Sequence, residues 1–309
     1  MQMWSEKRYY SLDYYLRRNY GEKLYKLSLN GGMTCPNRDG TLGDEGCIFC
    51  SEGGSGDFAS DARLSIPAQL KTAKSLISRK YSGHSYIAYF QAYTNTYAPA
   101  GYLKDIFTQA LSDPEVKILS IATRPDCLGP DILDLLARLQ RIKPVWIELG
   151  LQTSHEDTAA LIKREYELKV FESAVAALRS LDIPVIVHTI LGLPGEDQDR
   201  VLETIDYLNQ QDIQGIKFQL LHILSGTLLE EYYSSHPFWI PTEEEYTVLI
   251  GRCIARLRPD IVIHRLTGDA PRELLVAPLW TGDKRKVLNS IGKHLKSLDI
   301  WQGKGYTKY

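Results

Sequence analysis

Three of the five cysteines in this 309-residue chain fall within CPNRDGTLGDEGCIFC, residues 35 to 50. Cys35, Cys47 and Cys50 give the spacing C-x11-C-x2-C, a solitary thiol followed by a close pair. The low, odd cysteine count speaks against a secreted disulfide framework and for a reducing, cytoplasmic setting, where clustered thiols more often bind metal. A structural zinc site wants four closed ligands, usually as two short-spaced pairs. Here the nearest histidine in sequence is His84, so zinc would have to recruit a distant ligand such as Cys127 or Cys253. An iron–sulfur cluster on three thiolates leaves one iron open to a substrate or cofactor. Gly40, Gly43 and Gly46 give the intervening loop the freedom to fold Cys35 back onto the pair. The spacing favours the cluster, with zinc as the alternative.

Further chemistry-bearing groups lie on strand-like runs. In VWIELGLQ, Trp146, Glu148, Gly150 and Gln152 oppose Val145, Ile147, Leu149 and Leu151. In VIVHTILG the face holding Ile186, His188, Ile190 and Gly192 opposes Val185, Val187 and Thr189, and in GIKFQLLH Lys217, Gln219 and Leu221 oppose Ile216, Phe218 and Leu220. Polar groups inside a barrel are costly unless paired or bound to something. Glu148 and Lys217 are therefore catalytic candidates, and a purely structural ion pair between them is the competing reading. TRPDC, at another strand end, adds Arg124 and Asp126 as candidates for substrate contact, and Cys127 as either a hydrogen-atom donor or an inert buried thiol.

Six strands are predicted to position these groups: LYKLSL from Leu24, YIAYFQA from Tyr86, VKILSIA from Val116, VWIELGL from Val145, IPVIVHTIL from Ile183 and GIKFQLL from Gly215. Between them, stretches such as ILDLLARL and VLETIDYL carry apolar residues at helical spacing. The alternation argues for an α/β fold with parallel strands, as a barrel or an open sheet. Residues 241–309 differ: TEEEYTVLIGRCIARL and KVLNSIGKHLKSL predict helices and DIVIHRL a further strand, together a C-terminal α/β extension packed on the domain formed by residues 1–240. No run of about 18 apolar residues suggests a membrane partner. Residues 196–245 carry eleven acidic and two basic side chains, whereas 251–309 carry twelve basic and five acidic, a distribution that admits a basic docking surface.

The three-cysteine motif just after a first strand, followed by five more βα units, resembles the radical S-adenosylmethionine (radical SAM) superfamily, whose fold is a partial (βα)6 barrel. CPNRDGTLGDEGCIFC, FQAYTNTYAP, TRPDCL, ELGLQ, ILGLPGE and LTGDAP together are similar to its YhcC/YtqA-type branch, related to the Elongator catalytic subunit. The resemblance implies that Cys35, Cys47 and Cys50 ligate a [4Fe-4S] cluster whose fourth iron binds S-adenosylmethionine, cleaved reductively to a 5′-deoxyadenosyl radical. It further implies that the backbone of Ala92, Tyr93 and Thr94 receives the methionine amino group, and that Arg164 faces the methionine carboxylate. Gln152, His188, Ile190, Gly192 and Leu221 would then surround the nucleoside. By the same resemblance the substrate is a 5-substituted wobble uridine of tRNA, and the electron donor a reductase, flavodoxin or ferredoxin. A small molecule or a protein side chain is the alternative substrate, and a zinc-bearing binding module the alternative class. Lys284, Arg285, Lys286, Lys293 and Lys296, and Arg8, Arg17, Arg18 and Lys23 among the N-terminal tyrosines, are the candidate RNA contacts.

Overall fold

The computed structural model describes residues 4–54, 56–78, 81 and 83–307. Its main sheet has seven strands in the order β1 (Tyr25–Leu29), β2 (Tyr86–Phe90), β3 (Val116–Thr123), β4 (Val145–Gln152), β5 (Val185–Leu191), β6 (Gly215–Leu220) and β8 (Val262–Arg265), every neighbouring pair parallel. The six predicted strands are all present, and DIVIHRL supplies the seventh. A small antiparallel pair, β7 (Ile223–Leu224) and β9 (Leu275–Ala277), stands apart from this sheet.

Ten α-helices are described: α1 (Leu12–Tyr20), α2 (Ile66–Ser78), α3 (Ala100–Ser112), α4 (Pro130–Gln140), α5 (Glu156–Leu161), α6 (Leu168–Ser180), α7 (Gln198–Asn209), α8 (Leu228–Ser235), α9 (Glu243–Arg256) and α10 (Lys284–Ser297). Local chemistry sets several of their ends. Ser11 caps α1 by accepting from the Tyr14 N–H, and Gly21 ends it in the left-handed conformation. Thr242 and Glu245 form a reciprocal capping box on α9, with three glutamates in its first turn.

Side chains that meet across the sheet show how strongly it curls. Lys217 on β6 donates to Tyr89 on β2 at 3.2 Å, and Lys26 on β1 to Glu148 on β4 at 2.5 Å. In a flat sheet these strands would lie roughly 14–19 Å apart at about 4.8 Å per strand. The curl gives the interior a layered filling. Leu24, Ile87, Ile118, Trp146 and Ile186 form an apolar base layer closed by Leu16 of α1, with Tyr15 edge-on to Trp146 at 5.9 Å. Above it sits the polar layer of Lys26, Tyr89, Ser120, Glu148, His188 and Lys217. The opposite strand faces pack against the helices in one continuous core running from Leu27 to Leu295, which includes Tyr246, Ile250 and Cys253 of α9 and Val287 and Ile291 of α10. The N-terminal segment docks on the free edge of β8, where the Ile263 N–H donates to Tyr10 O at 2.7 Å.

Candidate functional site

Cys35, Cys47 and Cys50 line one cavity of about 180 Å3 at the barrel mouth. Two turns shape the loop, the Arg38 N–H donating to Cys35 O and the Cys50 N–H to Cys47 O. Its centre is tied down by Ile48, whose N–H donates to Ile162 O and whose carbonyl accepts from Leu229. Gly46 has φ +84°, and a Cβ there would sit 2.7 Å from Arg38 Nε, crowding the side chain that donates to the Cys50 and Ser51 carbonyls. Gly54 has φ +54° and would drive a Cβ into the Tyr93 ring at 2.1 Å.

The donor set fits an iron–sulfur cluster. The neighbouring Cys50 thiol and burial together hold Cys47 well above the usual thiol range, and a bound metal would favour the thiolate there. Asn37 Nδ2 donates toward Cys47 Sγ at 3.5 Å, a contact that suits a ligand sulfur. Among the described residues, no three His, Cys, Asp or Glu side chains converge on a single ion, as zinc would need. Cys253 is buried in the helical core. Cys127 is pushed up to about 12 by burial and Asp126, which keeps it a protonated thiol rather than a metal-binding thiolate.

Two residues beside the cavity hold strained backbone at strand ends, Tyr93 after β2 at φ +58° and Gln152 after the β4 bulge at φ +65°. Such positions cost about 1–3 kcal/mol and cluster where geometry serves binding. The Tyr93 and Thr94 N–H groups donate to Gly54 O and Thr34 O. Among the described residues nothing donates to the carbonyls of Ala92 and Tyr93, so this turn offers acceptors, as an amino group requires.

Arg164 is 1% exposed and lies in a turn after α5, which removes the reading of a solvated helix arginine. Its guanidinium donates to Leu151 O, Thr153 O, Tyr166 O and Glu156, and it lines the cavity. Arg124 lines it too, paired with Asp126 at 2.7 Å and set over the Tyr166 ring.

The polar layer forms the cavity floor. Glu148 is 1% exposed and accepts from Lys26, Ser120, His188 and Lys217. Burial alone would raise its carboxyl, but Lys217 and Lys26 pull it well below the usual carboxylate range. Burial holds Lys217 well below the usual lysine range against the pull of Glu148, and burial with Lys217 lowers His188 to about 4, leaving it neutral. The predicted Glu148–Lys217 pair is therefore present, as part of a larger network. Lys26, Tyr89, Asn37 and Arg265 were not singled out from the sequence; the alternation of Lys26 and Ser28 against Leu27 and Leu29 carries the signal for the first of them.

A cleft of about 580 Å3 adjoins the cavity and shares Phe49, Cys50, Gln91, Gln152, His188, Gln219 and Arg265 with it. Ile190 and Leu221 line this cleft, whereas Gly192, at φ +82°, lines neither the cleft nor the cysteine cavity. Arg265 and Lys284 share Asp269 at 3.1 and 2.6 Å, and the exposed Arg272 lies on the same wall. Of the predicted basic contacts, Arg8, Arg17, Lys284 and Lys286 are spent on Asp299, Asp13, Asp269 and Glu243. Tyr10 and Tyr15 serve packing, against Trp4 and Trp146.

Residues 35–208 match the family model of the Radical SAM superfamily, and residues 213–297 that of the Radical_SAM C-terminal domain. The chain belongs to the radical SAM superfamily, and is an enzyme whose cofactors are a [4Fe-4S] cluster and S-adenosylmethionine. It is 42% identical to YtqA of Bacillus subtilis (strain 168) over 98% of this chain and 94% of YtqA, and 36% identical to YhcC of Escherichia coli (strain K12) over 91% and 90%. A more distant similarity, 27% identity over 52% of this chain and 35% of the relative, is to the tRNA uridine(34) acetyltransferase of Dehalococcoides mccartyi (strain CBDB1). The fold matches that of archaeal Methanocaldococcus infernus Elp3 with a TM-score of 0.70 at 14% identity, covering 90% of this chain and 64% of that one. Among the described residues, no helix is long and apolar enough to cross a membrane.

Proposed function

We propose that this radical SAM enzyme modifies the C5 side chain of wobble uridine in tRNA. The observation that carries the reading is the large cleft opening directly from the cysteine cavity, in a chain similar to a tRNA uridine(34) acetyltransferase. Its volume lies within the range of about 300–1,000 Å3 typical of sites for small ligands, and in this reading it is shared between the S-adenosylmethionine nucleoside, at Gln152, Ile190 and Leu221, and a base turned out of a loop. Arg272 stands on the cleft wall, and among the described residues Arg18, Arg285, Lys293 and Lys296 form no ion pair and are exposed, available to phosphates.

In this reading Cys35, Cys47 and Cys50 hold the cluster, and the carbonyls of Ala92 and Tyr93 receive the methionine amino group. Arg164 lies toward the carboxylate, and Gln152, Ile190 and Leu221 border the nucleoside. The bound cofactors supply hydrogen-atom abstraction. The polar floor orients the substrate, and the apolar layer beneath it closes the barrel to water from below. A reductase, flavodoxin or ferredoxin supplies the electron.

The test is a comparison of tRNA nucleosides by mass spectrometry in cells with and without the gene. Loss of one C5-modified wobble uridine and accumulation of its precursor is the expected result. An unchanged wobble profile refutes the tRNA reading and directs the chemistry to a small molecule or a protein side chain.

A further inference from the structure

The barrel floor fixes the orientation of one side chain that faces both the cavity and the cleft. Glu148 is enclosed and ionised, and an ionised carboxylate only accepts hydrogen bonds. His188 Nε2 lies 2.7 Å from Glu148 Oε2, so that nitrogen carries the proton. In the neutral ring, Nδ1 is then an acceptor. Its partner at 3.3 Å is the Gln219 side chain, which must turn its NH2 toward the ring. Gln219 Oε1 is thereby directed away from His188, and among the described residues nothing donates to it. Gln219 lines the cysteine cavity and the cleft, beside Gln91, Gln152 and Arg265.

We propose that Gln219 reads the substrate by accepting a hydrogen bond from an N–H of its base, with Glu148 and His188 as the positioning residues that keep its carbonyl presented. The inference rests on the tRNA reading above and assigns the recognised group as the imide N3–H of uracil. Cytosine places a lone pair at the same ring position. It would set acceptor against acceptor, leaving Gln219 unsatisfied in an enclosed site, so the device both favours uracil and rejects cytosine. A free glutamine amide would turn over to suit either base; the fixed histidine tautomer removes that option. The discrimination thus comes from Glu148, which touches neither base.

The experiment measures binding of three anticodon stem–loop RNAs to the cluster-loaded enzyme with S-adenosylmethionine present and no reductant. The RNAs carry uridine, cytidine or 3-methyluridine at the wobble position and are otherwise identical. The wild type is expected to bind the uridine RNA about tenfold or more tightly than the other two, the effect of one lost hydrogen bond in an enclosed site. Gln219→Met keeps the side-chain volume and removes the acceptor; it should bring the three affinities within about twofold of one another. His188→Phe releases the amide and should give an intermediate preference. A structural role alone would weaken all three RNAs alike or lower thermal stability, leaving their ratios unchanged. If the wild type discriminates and Gln219→Met keeps that full preference, or if the wild type binds all three RNAs equally, this inference is overturned while the tRNA reading stands. If the wild type binds none of them, both fall together.

Discussion

Replacing Glu148 by glutamine removes the one acid of the barrel floor while nearly preserving its shape. Ser120 and His188 retain a neutral partner at that position, whereas Lys26 and Lys217 lose their counter-charge. The lysine Nζ of residue 26 has a path to water, with 22% of the side chain exposed; Lys217 has little, at 5%. Lys217 must then remain as an unpaired buried cation or give up its proton, and the cheaper course sets the cost. Deprotonation costs about 1.4 kcal/mol for each pH unit below the unfolded lysine value, hence at most about 4.6 kcal/mol at pH 7. That ceiling agrees with the roughly 3–5 kcal/mol measured when buried pairs are broken.

The sign of the pH dependence follows from the same ionisation. Burial already holds Lys217 below the usual lysine range in the wild type, so both proteins gain stability as pH rises toward about 10; without Glu148 the lysine is held lower still, and the variant gains the more, by up to about 1.4 kcal/mol per unit. Urea denaturation of the anaerobically prepared protein, followed by tryptophan fluorescence, measures both quantities; Trp146 lies in the layer directly beneath. Adding Lys217→Met to the variant should restore about 2 kcal/mol or more, since an apolar side chain has no charge to bury. A loss below about 1 kcal/mol, flat between pH 7 and 9, would refute the account of the floor as a closed charge network.

Cys35→Ala should lower bound iron and labile sulfide to near background while leaving the far-ultraviolet circular dichroism unchanged, because the thiol lines the cavity, outside the core; full cluster content would remove it from the proposed ligand set. Gly46→Ala combines an unfavourable φ, about 1–2 kcal/mol, with displacement of Arg38, and should lose more stability and more iron than Gly40→Ala, where φ is +85° and no atom lies within 4 Å of the new Cβ. Equal losses in the two would show that Arg38 yields freely. His188 is held to about 4 by burial and Lys217, and His222 to about 4 by burial, both below the unfolded histidine value near 6.5. Their contribution is fully present above about 6.5 and is lost as pH falls toward 4, up to about 3 kcal/mol from His188; a stability curve flat from pH 7 to 5 would contradict it.

The cysteine spacing, the strand alternation and the βα rhythm could all be read in the sequence because each depends on near neighbours in the chain. Glu148, His188 and Lys217 announced themselves as polar residues on otherwise apolar strands, and the three thiols by their crowding. What these groups do to one another was not legible. Lys26 lies 122 residues from Glu148, and Tyr89 lies 128 from Lys217; no local pattern encodes a contact made by closure of the sheet. The same closure turned a predicted pair into a network, buried Arg164 and left His188 neutral.

Charge shows the division most plainly. The sequence determined that the last third is basic, a matter of composition. Only the tertiary structure decided that Lys284 and Lys286 are spent on Asp269 and Glu243 while Arg285, Lys293 and Lys296 stay exposed, without ion pairs among the described residues, because pairing depends on which helix faces which loop. The chain's chemistry is thus written in residue type and spacing. The selectivity we propose resides in the orientation of an amide that a carboxylate 71 residues earlier in the chain holds in place through one imidazole, a relation that exists only once β4, β5 and β6 lie side by side.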